Sequence, residues 1–143
     1  MTYETNSGKI ENNLILYRPY RGPIRITSKF GRRWGVMHKG CDYVGQNKEI
    51  FSIGHARVIR KSYQRLGAGN YIVCQSLWYR AYIEIKYFHL SKTLVEIGDE
   101  LFPNMQIGVE GNTGHSFGSH LHLEIWVNGK VIDPETVIWL DRR

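Results

Sequence analysis

The sequence predicts an all-β fold, a mostly antiparallel sheet or sandwich. Three observations carry that expectation: short segments rich in Ile, Val, Tyr and Phe, glycine and turn residues between them, and no long amphipathic helical pattern. Strands are expected at 24–29, 36–44, 55–61, 70–77, 80–88, 106–109 and 120–127. In order, the first stops at the loop GRRWG (31–35), and the third runs into RLGAGN (65–70). IGDELFPNM (97–105) precedes the sixth strand and EGNTGHSFGS (110–119) the seventh. VNGK, at 127–130, closes the last strand with the Asn-Gly of a tight hairpin turn. Residues 1–15 read as an N-terminal arm and 16–143 as a single domain, without internal repeats.

A chain of 143 residues with 42% apolar content has enough material for one buried core. No stretch approaches the roughly 18 consecutive apolar residues of a membrane span. The opening MTYETNSGKIENN has neither a basic nor an apolar segment of the kind that directs export, so no signal peptide is read. Cys41 and Cys74 are expected to be free thiols packed as small apolar groups. The net charge of +6 suits anionic partners, but its Lys and Arg residues are scattered. Aromatic residues are plentiful, yet no RNA-binding signature accompanies them, and nucleic acid is not an expected partner.

Chemistry concentrates in two places. In GSHLHLEIW (118–126) an extended backbone sends Leu121, Leu123 and Ile125 to one face and His120, His122, Glu124 and Trp126 to the other. In MHKGCDYVG (37–45) the same alternation puts His38, Gly40 and Asp42 on one face. The glycine is expected to leave room for an ion between the two ligating heads. Together the clusters offer His38, Asp42 and one histidine of the pair as ligands, with the other histidine left over. Three protein ligands with a fourth position open is the pattern of a catalytic zinc site. Imidazole and carboxylate without thiolate suit zinc and leave other divalent ions open, and such a site implies hydrolysis by activated water. Alternation alone does not decide which of His120 and His122 binds the ion.

The ordered set of motifs resembles the lysostaphin and LytM-type zinc endopeptidases. It comprises Ser28-Lys29-Phe30-Gly31-Arg32-Arg33, His38-x-Gly40-x-Asp42, Tyr87-x-His89-Leu90-Ser91, Gly111-x-Thr113-Gly114, His120-Leu121-His122-Leu123-Glu124, Asn128-Gly129 and Asp133-Pro134. The resemblance runs from about residue 24 to 138. It implies a fold of the duplicated-hybrid β type with the metal in a loop-walled groove. It also implies that His38, Asp42 and His122 hold one Zn2+ per chain, that His120 is the general base, and that His89 stabilises the oxyanion or orients water. The substrate it implies is the peptide part of bacterial peptidoglycan, cleaved by a monomer. His55 and His115 lack such support and read as structural or exposed.

Four positions depart from the family pattern. Ser119 stands where Pro is common, Leu123 where Phe is common, Cys41 where an aliphatic is usual, and Asn104 where a turn Gly is usual. Asn104 is expected to keep the same turn, since Asn tolerates left-handed backbone. The Ser119 change is expected to loosen the loop before His120 and so affect groove shape. A wall peptidase without a visible export signal fits a phage-borne enzyme, released by lysis or carried on the virion. The alternative is a non-catalytic wall-binding or activator domain of the same fold; the filled ligand positions count against it.

Overall fold

The computed structural model describes residues 14–76 and 81–141. In chain order its strands are β1 (Ile15–Tyr17), β2 (Ile24–Ser28), β3 (Gly31–Arg33), β4 (Val36–His38), β5 (Cys41–Gly45), β6 (Glu49–Phe51), β7 (Ala56–Gln64) and β8 (Gly69–Ser76). They continue with β9 (Ile83–Leu90), β10 (Lys92–Thr93), β11 (Glu100–Leu101), β12 (Gln106–Val109), β13 (Leu121–Val127), β14 (Lys130–Ile132) and β15 (Ile138–Leu140). One 3-10 turn, Pro134–Thr136, interrupts the β structure, with the Asp133 side chain accepting from the Glu135 N–H.

The main sheet runs β11-β7-β8-β9-β13-β5-β2, with β14 on the remaining edge of β13. All its pairings are antiparallel, as is the smaller sheet β10-β12-β6. The fold is thus all-β and mostly antiparallel, as the sequence predicts. A parallel pair, β1 with β15, joins the two ends of the described chain.

Period-two alternation decides which face is core. On β13, Leu121, Leu123, Ile125 and Val127 are fully buried. So are Cys41 on β5 and Ile85 and Tyr87 on β9. Ile50 of β6 and Ile107 of β12 belong to the same apolar cluster, so the small sheet closes one side of the large one. The opposite face of the large sheet stays open, and the site lies there.

Several expectations shift in detail. The strand expected over 36–44 is two strands broken at Lys39 and Gly40: β4 pairs with β3, while β5 pairs with β2 and β13. His120 precedes β13 and makes only an isolated bridge to Gly111. Of the arm expected over 1–15, residues 1–13 lie outside the described residues, whereas Leu14 is buried and Ile15 begins β1. The ends of the expected strands at 77 and 80 also lie outside the described residues. Asn128 and Gly129 both take left-handed conformations, φ 51° and 81°, as the turn predicted at VNGK requires. Asn104 sits in a turn without a left-handed backbone, so that turn needs no special tolerance there. Cys41 and Cys74 are free and buried, and burial first of all pushes their thiols up, to about 11 and about 12.

Candidate metal centre

Register brings the site together. On the open face, His122 of β13 sits directly opposite Asp42 of β5 on one side and Phe88 of β9 on the other. His122 Nδ1 lies 2.7 Å from Asp42 Oδ1. The same oxygen is 3.4 Å from His38 Nε2 and 3.8 Å from His120 Nε2. Ligating atoms of His38, Asp42 and His122 all fall within 4.8 Å of one another. His89 joins the group, its ring centroid 4.7 Å from that of His120. The five residues singled out from the sequence therefore share one place, although they come from four separate segments.

Three of the four histidines have Nδ1 engaged by a backbone carbonyl. His38 Nδ1 donates to the Lys29 carbonyl at 2.8 Å, His89 Nδ1 to that of Thr113 at 2.7 Å, and His120 Nδ1 to that of Gly118 at 2.8 Å. A carbonyl oxygen only accepts, so these bonds place the proton on Nδ1 and leave Nε2 with its lone pair in the neutral ring. His122 is the reverse: Nε2 donates to Glu124 Oε2 at 2.9 Å, leaving Nδ1 toward Asp42. Trp126 Nε1 in turn donates to the second Glu124 oxygen at 2.8 Å. Carboxylate or carbonyl partners behind the imidazoles are what fixes ring orientation at metal sites.

The electrostatics favour positive charge at the centre. Burial alone would lower the His122 pKa, but Asp42 and Glu124, bonded to its two nitrogens, lift it to about 9. Burial would likewise raise Asp42, yet the His122 bond and the three nearby imidazoles hold its carboxyl below the usual range. A donor set of two imidazoles and one carboxylate, in a field that rewards a cation, fits a zinc ion held by His38, Asp42 and His122. His89 moves the other way, lowered first by desolvation and also by the neighbouring His120 and His122, so it stays neutral at neutral pH.

His89 reaches the site through a backbone irregularity. Its φ is 67°, left-handed and unusual for a residue other than glycine. The pairing of β8 with β9 slips here: Phe88 and His89 together face the single residue Tyr71. This β-bulge breaks the alternation, so Tyr87 and Leu90 stay in the core while Phe88 and His89 both serve the open face. Phe88 stacks on His122 at 5.1 Å between centroids.

Gly40 is a point of close backbone approach. A Cβ there would lie 2.2 Å from the Leu123 carbonyl oxygen and 3.0 Å from His122 Cε1. The missing side chain lets the chain pass against β13 and the His122 ring.

Around these residues lies a groove of about 800 Å³, walled by Leu66, Gly67, His115, Phe117 and Arg33 among others. His115 is exposed as expected but belongs to this wall. His55 does not line the groove; it is paired with Glu100 at 2.5 Å and stacked on Phe102.

The family model described as Peptidase family M23 matches residues 36–134. This chain belongs to peptidase family M23. It is 42% identical over 139 residues to the peptidoglycan DD-endopeptidase ShyA of Vibrio cholerae, covering 92% of this chain and 31% of that protein. Among solved structures, a zinc-containing peptidase from Vibrio cholerae superposes with a TM-score of 0.70 at 29% identity, covering 82% of this chain and 39% of the other. The lysostaphin catalytic domain from Staphylococcus simulans gives 0.69 at 27%, covering 78% and 89%. The chain spans about a third or less of the length of the curated relatives it matches.

Within the M23 frame, Ser119 corrects an expectation. Its Oγ donates to Glu110 Oε2 at 2.5 Å, tying the loop before His120 to a buried carboxylate. Glu110 also accepts from Tyr20 Oη at 2.7 Å, the Gly45 N–H at 2.9 Å and Lys48 Nζ at 2.9 Å. The loop is thus held by a hydrogen bond where the family commonly uses a proline. Glu110 was not singled out from the sequence, since an acidic residue in a Gly-rich loop reads as solvated. Phe88 and Thr113 were also missed as site residues, although both sit beside motifs that were noticed.

Proposed function

We propose that this chain is the catalytic domain of a zinc-dependent endopeptidase that hydrolyses the peptide cross-links of bacterial peptidoglycan. The observation that carries the reading is the convergence of His38, Asp42 and His122 with two further imidazoles: His120, whose Nε2 lies 3.8 Å from Asp42 Oδ1, and His89, whose ring centroid lies 4.7 Å from that of His120. The named activity of the relative ShyA supplies the substrate class. His38, Asp42 and His122 would hold the zinc ion, which would supply Lewis-acid polarisation and activation of water at neutral pH.

The chain does the rest. With Nδ1–H committed to Gly118, His120 presents a basic Nε2 that takes the proton of the attacking water and then passes it to the departing amine. His89, neutral and likewise bonded through Nδ1, presents an acceptor at Nε2. That arrangement suits orienting water better than donating to an oxyanion, because a donor would need a second ring proton. Bond breaking then leaves one new carboxylate and one free amine. The same constellation disfavours a purely binding role, which needs neither His89 nor His120.

Purified chain should carry about one zinc and release new amine and carboxyl ends from isolated peptidoglycan, read by mass spectrometry. Chelation should abolish this and added zinc restore it. Undiminished hydrolysis by verified metal-free protein, or no hydrolysis by zinc-loaded protein, would overturn the reading.

A further inference from the structure

Arg33 is the single lysine or arginine among the described residues that line the groove. It lies on β3, whose pairing with β4 sets Gly31 opposite the ligand His38 and Arg33 opposite Val36. Its guanidinium donates to the Ser28 hydroxyl, which anchors it. Among the described residues it forms no ion pair. The one carboxylate lining the groove, Asp42, is already engaged by His122 and flanked by His38 and His120. The positive charge of Arg33 is therefore left for whatever enters the groove. Elsewhere the wall has no further lysine, arginine or carboxylate among the described residues and includes exposed Leu66 and Phe117.

A planar guanidinium, always charged and carrying a fork of donors, matches a carboxylate better than any other group of a peptide. An amide backbone without ionised side chains would gain little from it. We propose that Arg33 reads a free carboxylate on the substrate next to the scissile amide. The groove then selects cross-links whose joining residue keeps an ionised α-carboxylate over uncharged bridges such as a run of glycines. This rests on the endopeptidase reading above and adds the chemistry that the substrate must carry.

Two synthetic cross-linked peptides test it, alike except that the joining residue bears a free carboxylate in one and a carboxamide in the other. Zinc-loaded wild-type protein should prefer the carboxylate peptide by about 10- to 100-fold in kcat/KM, as expected for one charge-assisted contact. In Arg33→Gln the preference should fall to near unity, through a raised KM for the carboxylate peptide with kcat, metal content and melting temperature held. Arg33→Lys, which keeps the charge but loses the fork, should fall between. Equal cleavage of both peptides by wild type, or an undiminished preference in Arg33→Gln, would overturn the proposal. Cleavage of neither peptide by zinc-loaded wild type would overturn the endopeptidase reading itself, and this proposal with it.

Discussion

The imidazole of His122 and the carboxylate of Asp42 face each other across neighbouring strands, Nδ1 to Oδ1 at 2.7 Å, while the far side of the ring is bonded to Glu124. His120, two residues earlier, is held instead by the Gly118 carbonyl. The two histidines should therefore separate on mutation. His122→Ala should lose zinc and activity together, because two ligands rarely hold the ion at catalytic strength. His120→Ala should keep zinc and lose roughly 100- to 10,000-fold in rate. Metal analysis and turnover on both variants decide this, and a folded but metal-free His120→Ala would contradict the assignment.

His89 carries a testable strain. A left-handed residue with a Cβ costs roughly 1–2 kcal/mol relative to glycine, and His89 has φ 67°. His89→Gly should therefore be more stable than His89→Ala by about 1 kcal/mol, measured by denaturant unfolding. Both should fall in turnover by about 100-fold with zinc retained. Near wild-type turnover in either would reduce His89 to a structural residue.

Ser119 and Glu110 should act as a pair. Ser119→Ala frees the loop before His120 and should lower kcat several-fold, while Ser119→Thr keeps the hydroxyl and most activity. Ser119→Pro should also stay active, because the ring restrains the chain without needing Glu110. Burial would raise the Glu110 pKa, but hydrogen bonds from Ser119, Gly45, Tyr20 and Lys48 outweigh it and hold the carboxyl below its usual range. A depressed pKa means that the folded state gains stability above the unfolded value of about 4.3 and loses it as pH falls through and below that point. Glu110→Gln should then be less stable than wild type at neutral pH, with the gap narrowing in acid. Parallel stability curves from pH 7 to 3 would contradict this.

Gly40 offers a packing test. An alanine Cβ would meet the Leu123 carbonyl at 2.2 Å, which the backbone of a central strand cannot yield cheaply. Gly40→Ala should destabilise the fold by about 1–3 kcal/mol, the range for overpacking, and weaken zinc binding, since the same Cβ presses on the His122 ring. Unchanged melting and zinc affinity would show that the strands part more easily than the contact implies.

Much of this was legible in the chain itself. The seven longer strands announced themselves as short segments rich in Ile, Val, Tyr and Phe set between glycines and turn residues. β3, β6, β10 and β11, at two or three residues each, are too short to show a period. The alternation of LHLEIWV told correctly which side chains leave the core, and the ordered His and Asp motifs marked the family.

What the sequence by itself determined is the set of local choices: which residues alternate, where the chain turns, and which side chains have ligand chemistry. Only the tertiary structure decided how they meet. Asp42 and His122 are 80 positions apart, and their distance depends on the register of β5 against β13. His89 faces the groove because a bulge reverses the alternation that its neighbours obey. The carbonyls of Lys29, Thr113 and Gly118, which select the ring nitrogens left for chemistry, belong to loops whose backbone direction no side-chain pattern encodes. Glu110 finds its four donors in Tyr20, Gly45, Lys48 and Ser119, and a carboxylate that reads as solvated in one dimension becomes buried when the sheets close around it.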